Sequence, residues 1–313
     1  MRLVTYHSDG GWPPIEAVGG WRAGVMVEGR VVDAAAAAEA SGLAYDSAVD
    51  WTSNRHIIQV SRDRQAQFES AARRLAAANT SHAKRVVSAV DDVRLGPPIV
   101  DPEKIICLGL NYRDHTQEAG LPIPPAPILV AKYRNALTGP TSPIILPGVS
   151  EEIDYEAELA VVIGRRCKGV VAAEALDVVA GYMAFDDVSA RDVQMQTSQW
   201  LAGKTLDTFG PCGPALVIDE IRDPQALRVW TRVNGETLQQ ENTREMIFSV
   251  AESIAFISQL MTLQPGDIIA TGTPAGVGFK RKPPIFLRHG DIVEVEIEGI
   301  GMLRNPVVDP ARP

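Results

Sequence analysis

Apolar and polar positions alternate most regularly near the C-terminus of this chain, in DIVEVEIEGIGMLRNPV. Alternation of that kind marks strand half-buried against a core. Shorter runs rich in β-branched residues recur upstream, in RLVTY, AGVMVEGRVVDA, KIICLG, LAVVIG and DIIATGTP. Gly, Pro and Asp bound many of these runs and favour turns there, with one turn expected at Glu28-Gly29. Helical spacing is rarer. AAAAAEA opens an alanine-rich helix, and QAQFESAARRLAAAN reads as a second. In REMIFSVAESIAFISQLM, Ile247, Val250, Ile254, Ile257 and Met261 recur at intervals of three and four and predict one buried stripe, ended by LQPGD. Many short strands with few helices favour a mixed, β-rich α/β roll over a doubly wound sheet. The Pro-rich RLGPPIVDP divides the chain into a small N-terminal α+β domain over 1–98 and a second domain over 102–313.

Hydrophobic residues make up 45% and charged residues 22%, the balance of a globular protein. A net charge of −9 argues against a nucleic-acid surface. It leaves room for a small anionic substrate, because a bound cation and a few basic side chains set the local potential. No apolar run reaches the length of a membrane span, and MRLVTYHSDGG lacks the apolar stretch of a signal peptide. Cys107, Cys167 and Cys212 have no metal-type spacing and read as buried small hydrophobes in a reducing, cytoplasmic setting.

The candidate chemistry begins at IDYEAELAVVIG. Glu156 and Glu158 lie two apart on a predicted strand, so their carboxylates project to one face. Such a pair persists in water or around a cation. Asp187, in FDDVSARDVQ, is a plausible third oxygen ligand. Three carboxylates without Cys or His suit a hard ion, Mg²⁺ or Mn²⁺, with Ca²⁺ as a third candidate, better than zinc. His115 and Glu118 stand three apart in RDHTQEAG, one face of a helix, where a carboxylate orients an imidazole and makes it a better base. The alternative is an incidental pair on an exposed helix. Lys204, among small and apolar neighbours in LAGKTLDTF, can stabilise a developing anion, or can be a surface lysine. In TGTPAGVG, Gly272, Thr273 and Gly276 can bring backbone N–H groups to a small carboxylate; without a GK[ST] ending the loop is not a nucleotide loop. Lys132, Arg134 and Arg113 are candidates for the distal end of a substrate.

The order ExE, DVSARDxQ, GK and TGTPxGVG, together with KIICLGLNYRDHTQEAGLPIP and QWLAGKTLDTFGPCGP, resembles the fumarylacetoacetate hydrolase (FAH) superfamily from about residue 102 onward. QWLAGKTLDTFGPCGP and FKRKPPIFL are most similar to the branch with FAH-domain proteins, hydroxyheptadienedioate isomerases and diketo-sugar-acid hydrolases. The resemblance implies an FAH-type β-sandwich roll, a homodimer or dimer of dimers, and a variable N-terminal domain. It implies Glu156, Glu158 and Asp187 as metal ligands; position in the motif selects Asp187 over Asp186, where family members usually carry an uncharged residue. It implies His115 and Glu118 as the dyad that activates water, on a segment that orders over the substrate. Lys204 would stabilise or protonate an enolate beside the ion. Arg191 and Gln194 resemble residues that position substrate or lid, although Arg191 can equally be a structural ion pair.

The expected activity is divalent-metal-dependent turnover of a 2-oxo or 2,4-dioxo acid through an enolate. Hydrolytic C–C cleavage of an acylpyruvate is the leading expectation. Oxaloacetate tautomerisation or decarboxylation and hydroxyheptadienedioate isomerisation are the alternatives, and a metal-binding scaffold without activity is the remote one.

Overall fold

The computed structural model describes residues 1–7 and 20–311; the last part of MRLVTYHSDGG falls outside them. Two sheets account for most of the strands. The larger has twelve strands. Its main path runs Val87–Ala89, Arg30–Asp33, Arg22–Val27, Arg2–His7, Gly210–Val217, Val179–Asp186, Ala157–Ile163, Ile268–Ala270, Ile105–Gly109 and Ile128–Lys132. The second has five strands, in the order Glu236–Asn242, Arg228–Val233, Ile292–Ile297, Gly301–Val308 and Ile144–Ile145. This is the mixed, β-rich α/β sandwich roll that the chain's strand pattern and family resemblance imply.

The acidic strand Ala157–Ile163 is central and buried along its whole length. Alternation sends its two sets of side chains into different cores. Leu159, Val161 and Ile163 join Val229, Val295 and Leu303 of the smaller sheet. Ala160 and Val162 join a second core with Met183, Phe185, Ile57 and Phe68. Glu158, two before Ala160, therefore projects toward the face that holds no second sheet.

The N-terminal segment extends the large sheet: Arg2–His7 pairs antiparallel with Gly210–Val217, with Leu3 opposite Leu216. The turn at Glu28-Gly29 forms where expected, both residues at positive φ (47° and 75°), which suits a two-residue hairpin. The helix Ala34–Ser41 starts on Asp33, whose Oδ1 accepts the Ala36 N–H at 3.0 Å. Helix Arg62–Ala77 buries Phe68, Ala71 and Ala72.

Two expectations change in extent. DIVEVEIEGIGMLRNPV folds as a hairpin of two strands, Ile292–Ile297 and Gly301–Val308, with Gly299 (φ 76°) in the turn. The helix expected over REMIFSVAESIAFISQLM covers only Val250–Leu260. Ser249 and Glu252 form a reciprocal capping box that sets its start. Ahead of it, Asn111 captures the chain: its carbonyl accepts the Ile247 N–H at 2.7 Å and its Oδ1 the Phe248 N–H at 2.9 Å. Those donors are thereby satisfied outside any helix. Val250, Ile254 and Ile257 remain the buried stripe.

Candidate active site

Glu156 and Glu158 flank the start of the strand Ala157–Ile163, and Asp187 directly follows the neighbouring strand Val179–Asp186. The Asp187 N–H donates to the Glu156 carbonyl at 2.9 Å, which ties the two strand ends together. One oxygen from each of the three carboxylates lies within 4.8 Å of the others. All three are buried, Glu158 to 1% exposure, so water does not separate their charges.

Three cations surround them. Lys204, at the end of the short helix Leu201–Lys204, reaches Glu156 Oε2 at 2.6 Å and Asp187 Oδ2 at 3.0 Å. Lys132 Nζ lies 2.5 Å from Asp187 Oδ1 and donates to the carbonyls of Val188 and Lys204. Arg191 contacts Glu156 Oε1 at 2.6 Å and Asp154 Oδ2 at 3.0 Å. Burial pushes the Glu156 carboxyl up, but Lys204 and then Arg191 outweigh it and hold it below the usual range. Glu158 moves the other way: burial, then Asp187 and Glu156, raise it well above an ordinary carboxyl, against Lys204 and the Gly272 N–H. Burial works against the Lys204 ammonium, yet Asp187 and Glu156 hold it above the usual lysine range. Burial also lifts Asp186 to about 7, against the Glu156 N–H it accepts at 2.9 Å and with Asp187 adding to the rise.

The donor set fits a divalent cation. Glu158 is the carboxylate whose charge the protein's own cations compensate least, and a hard dication beside it would supply what is missing. Glu156, Glu158 and Asp187 would hold the ion.

His115 lies on the helix Arg113–Ala119, with Nδ1 3.2 Å from Glu118 Oε2. Glu118 Oε1 accepts the Gly276 N–H at 3.0 Å, and Asp114 Oδ2 accepts the Ala275 N–H at 3.2 Å. The helix is thus docked on the TGTPAGVG loop rather than exposed. A cavity of ≈ 260 Å³ is lined by His115, Glu156, Asp187, Arg191, Gln194, Lys204 and Thr273. Glu158 lies in the carboxylate cluster and Glu118 behind the imidazole. The Gly272 N–H is already spent on Glu158 Oε2, at 2.8 Å. Thr273 Oγ1 accepts from Gln239 Nε2 at 2.8 Å, which leaves its own proton to donate. Lys132 is buried against Asp187 and does not meet a distal substrate end; Arg113 and Arg134 are exposed and do not line the cavity.

Four supporting residues escaped the sequence reading. Gln239 spans the sheets, accepting from Ala157 N and Thr231 Oγ1 while donating to Thr273 and Pro274. Asn111 donates to the Thr271 carbonyl at 2.7 Å. Trp200 and Phe279 form cavity wall. Asp154, two before Glu156 in IDYEAEL, was also missed, and the structure buries it completely. Its carboxylate accepts from Arg191 Nε and from the N–H groups of Gly278 (2.7 Å) and Phe279 (3.0 Å). Asp154→Ala should leave the buried Arg191 with Glu156 alone and the Gly278 and Phe279 N–H groups without their acceptor, and cost about 1–3 kcal/mol. Urea unfolding checks this; a loss below about 1 kcal/mol would show that Asp154 is not the anchor.

A metal-type carboxylate set at one end of a buried cavity, with a histidine–glutamate pair facing it, defines a small-molecule enzyme site. Residues 104–308 match the fumarylacetoacetate (FAA) hydrolase C-terminal family. The chain belongs to the fumarylacetoacetate hydrolase family. It is 52% identical over 214 residues to the mitochondrial oxaloacetate tautomerase FAHD2A of Bos taurus, covering 67% of this chain and 68% of the relative. Among solved structures it is similar to the fumarylacetoacetate hydrolase of Exiguobacterium antarcticum (TM-score 0.76, 34% identity, 99% of both chains). It is also similar to maleylpyruvate hydrolase of Sphingobium sp. SYK-6 in complex with manganese(II) and pyruvate (TM-score 0.75, 30% identity, 99% of both chains). Among the described residues, no helix is long and apolar enough to cross a membrane.

Proposed function

We propose that this chain is a divalent-metal-dependent tautomerase that interconverts the enol and keto forms of a small 2-oxo dicarboxylic acid of the oxaloacetate type. The observation that carries this reading is the meeting of the carboxylate triad, Lys204 and the His115–Glu118 pair at one cavity. The acid–base equipment there is what a proton shift beside a carbonyl requires. The cavity-lining Cys107 does not compete as a nucleophile: burial, then Asp187 and Glu158, push its thiol well above the ordinary range. The 52% identity to an oxaloacetate tautomerase supports tautomerisation over the acylpyruvate hydrolysis that leads the sequence-based expectations.

When bound, Mg²⁺ or Mn²⁺ would polarise the 2-oxo carbonyl as a Lewis acid. His115, with Nδ1 turned to Glu118, has Nε2 left for substrate. It takes the C3 proton in the keto-to-enol direction and returns it in the reverse, while the enol O–H proton exchanges with solvent. The Lys204 ammonium, fixed by Glu156 and Asp187, faces the negative charge that develops on the oxygen. Thr273 offers its hydroxyl proton to the substrate. Gln194, whose Oε1 accepts from Arg191 Nη1 at 3.1 Å, has its amide N–H groups to offer. The homodimer implied by the family resemblance belongs to this proposal, and light scattering tests it.

Lys204→Met should lower the tautomerisation rate by about 10²–10³-fold, the usual effect of removing one donor to a developing oxyanion. Loss of enol absorbance measures it, with circular dichroism to confirm the fold. A rate within a factor of about two of the parent would remove Lys204 from the reaction.

A second reading, hydrolytic cleavage of an acylpyruvate, draws on the same His115–Glu118 pair, which can activate water as well as move a carbon-bound proton. The maleylpyruvate hydrolase likeness favours it. Acylpyruvates incubated in ¹⁸O-labelled water separate the two. The tautomerase reading expects no label in a new carboxylate; label there selects the hydrolase.

A further inference from the structure

The cavity has two chemically different ends. His115, Glu156, Asp187, Arg191, Lys204 and Thr273 are buried and form its inner end. Toward solvent the wall becomes apolar: Trp200 and Val130 are half-buried, and Leu121 and Met195 are exposed. Trp200 is seated by Gly109, where an added Cβ would come within 2.6 Å of the indole ring. Lys280, half-buried, stands in this outer part.

Three cations line the cavity, and their commitments differ. Arg191 is engaged by Asp154 and Glu156, and Lys204 by Glu156 and Asp187. Lys280 has no carboxylate within ion-pair distance among the described residues; its ammonium lies over the Phe279 ring, with Nζ 4.9 Å from the centroid. Its backbone is firmly held nonetheless. The turn Gly278–Lys280 is pinned at two N–H groups by the buried Asp154, and the Phe279 ring lies 4.3 Å beneath the Arg191 guanidinium. A half-buried ammonium on a fixed support, facing a cavity whose other cations are already paired, is complementary to a negative charge brought by the ligand.

We propose that Lys280 is the specificity-determining residue for the second carboxylate of a 2-oxo dicarboxylic acid. The acid would enter with its 2-oxo end at the carboxylate cluster and its far carboxylate at Lys280, the carbons between lying along the Trp200 and Val130 wall. This rests on the proposed 2-oxo dicarboxylate substrate and assigns the residue that tells such an acid from a monocarboxylate.

The test reads binding, so it stands apart from turnover. Affinities are measured calorimetrically with Mn²⁺ present for two matched pairs: oxaloacetate against 2-oxobutanoate, and 2-oxoglutarate against 2-oxopentanoate. The wild type should prefer the dicarboxylate in at least one pair by about 10- to 100-fold, the range of a hydrogen bond to a charged group. Lys280→Met should erase that preference while leaving the monocarboxylates within about twofold, and Lys280→Arg should restore most of it. No preference in the wild type, an unchanged preference in Lys280→Met, or equal weakening of both members of each pair would overturn the assignment. Binding selectivity that depends on Lys280 without any tautomerisation would leave this assignment standing and defeat only the proposed reaction.

Discussion

Glu158→Gln should abolish metal-dependent turnover while leaving the fold intact. Glutamine keeps the volume at a fully buried position, and its carbonyl can still accept the Gly272 N–H that Glu158 Oε2 accepts at 2.8 Å. What it lacks is the charge. The buried carboxylates Glu156, Glu158 and Asp187 already face the cations Lys132, Lys204 and Arg191. Neutralising the least compensated of them removes the strongest local demand for a dication. Mn²⁺ affinity should fall by more than about 100-fold, beyond the 10–100-fold typical for losing an outer partner of a ligand. Calorimetric titration of the two proteins measures it, with thermal unfolding as the control. Equal Mn²⁺ affinity in both would exclude Glu158 from the metal site.

His115→Ala should lower kcat by about 10²–10⁴-fold, the range for removing a positioned general base. The imidazole makes no hydrogen bond to the triad, so Mn²⁺ and oxalate should bind the variant nearly as well as the parent. That separation is the informative part. A variant that loses both turnover and oxalate binding has lost the shape of the cavity, whereas one that loses turnover alone has lost the proton carrier. Full activity of His115→Ala would require another base.

Much of this arrangement is legible in the sequence because it is local. Glu156 and Glu158 share a face through the two-residue period of a strand, and His115 and Glu118 through the three-residue spacing of a helix. The hairpin at Glu28-Gly29 follows from Gly29, which takes positive φ without a Cβ penalty, between two apolar runs. What the sequence hides is long-range. The three carboxylates come together because two strands pair in a register that puts Ala157 opposite Asp186, which no local pattern encodes. Lys132 reads as a candidate for the distal end of a substrate, yet its ammonium is buried against Asp187, 55 residues away in the chain. Gln239 and Asn111 look like ordinary polar residues between strands. Only the fold shows that Gln239 bridges the sheets to Thr273 and that Asn111 holds the chain ahead of Val250, so that the helix expected to begin near Arg244 starts later. The Gly-rich loop was expected to offer free N–H groups, but those of Gly272, Ala275 and Gly276 are taken by Glu158, Asp114 and Glu118.

The central claim, a metal-dependent proton shift on a 2-oxo dicarboxylic acid, is tested most directly by following the enol absorbance of freshly dissolved oxaloacetate. The measurement is made with the protein and Mn²⁺, with Mn²⁺ alone, and with the protein after chelation. The account predicts a decay far faster than with Mn²⁺ alone, abolished by chelation and accompanied by no matching release of CO₂. A decay that the protein does not accelerate at any Mn²⁺ or Mg²⁺ concentration would contradict it.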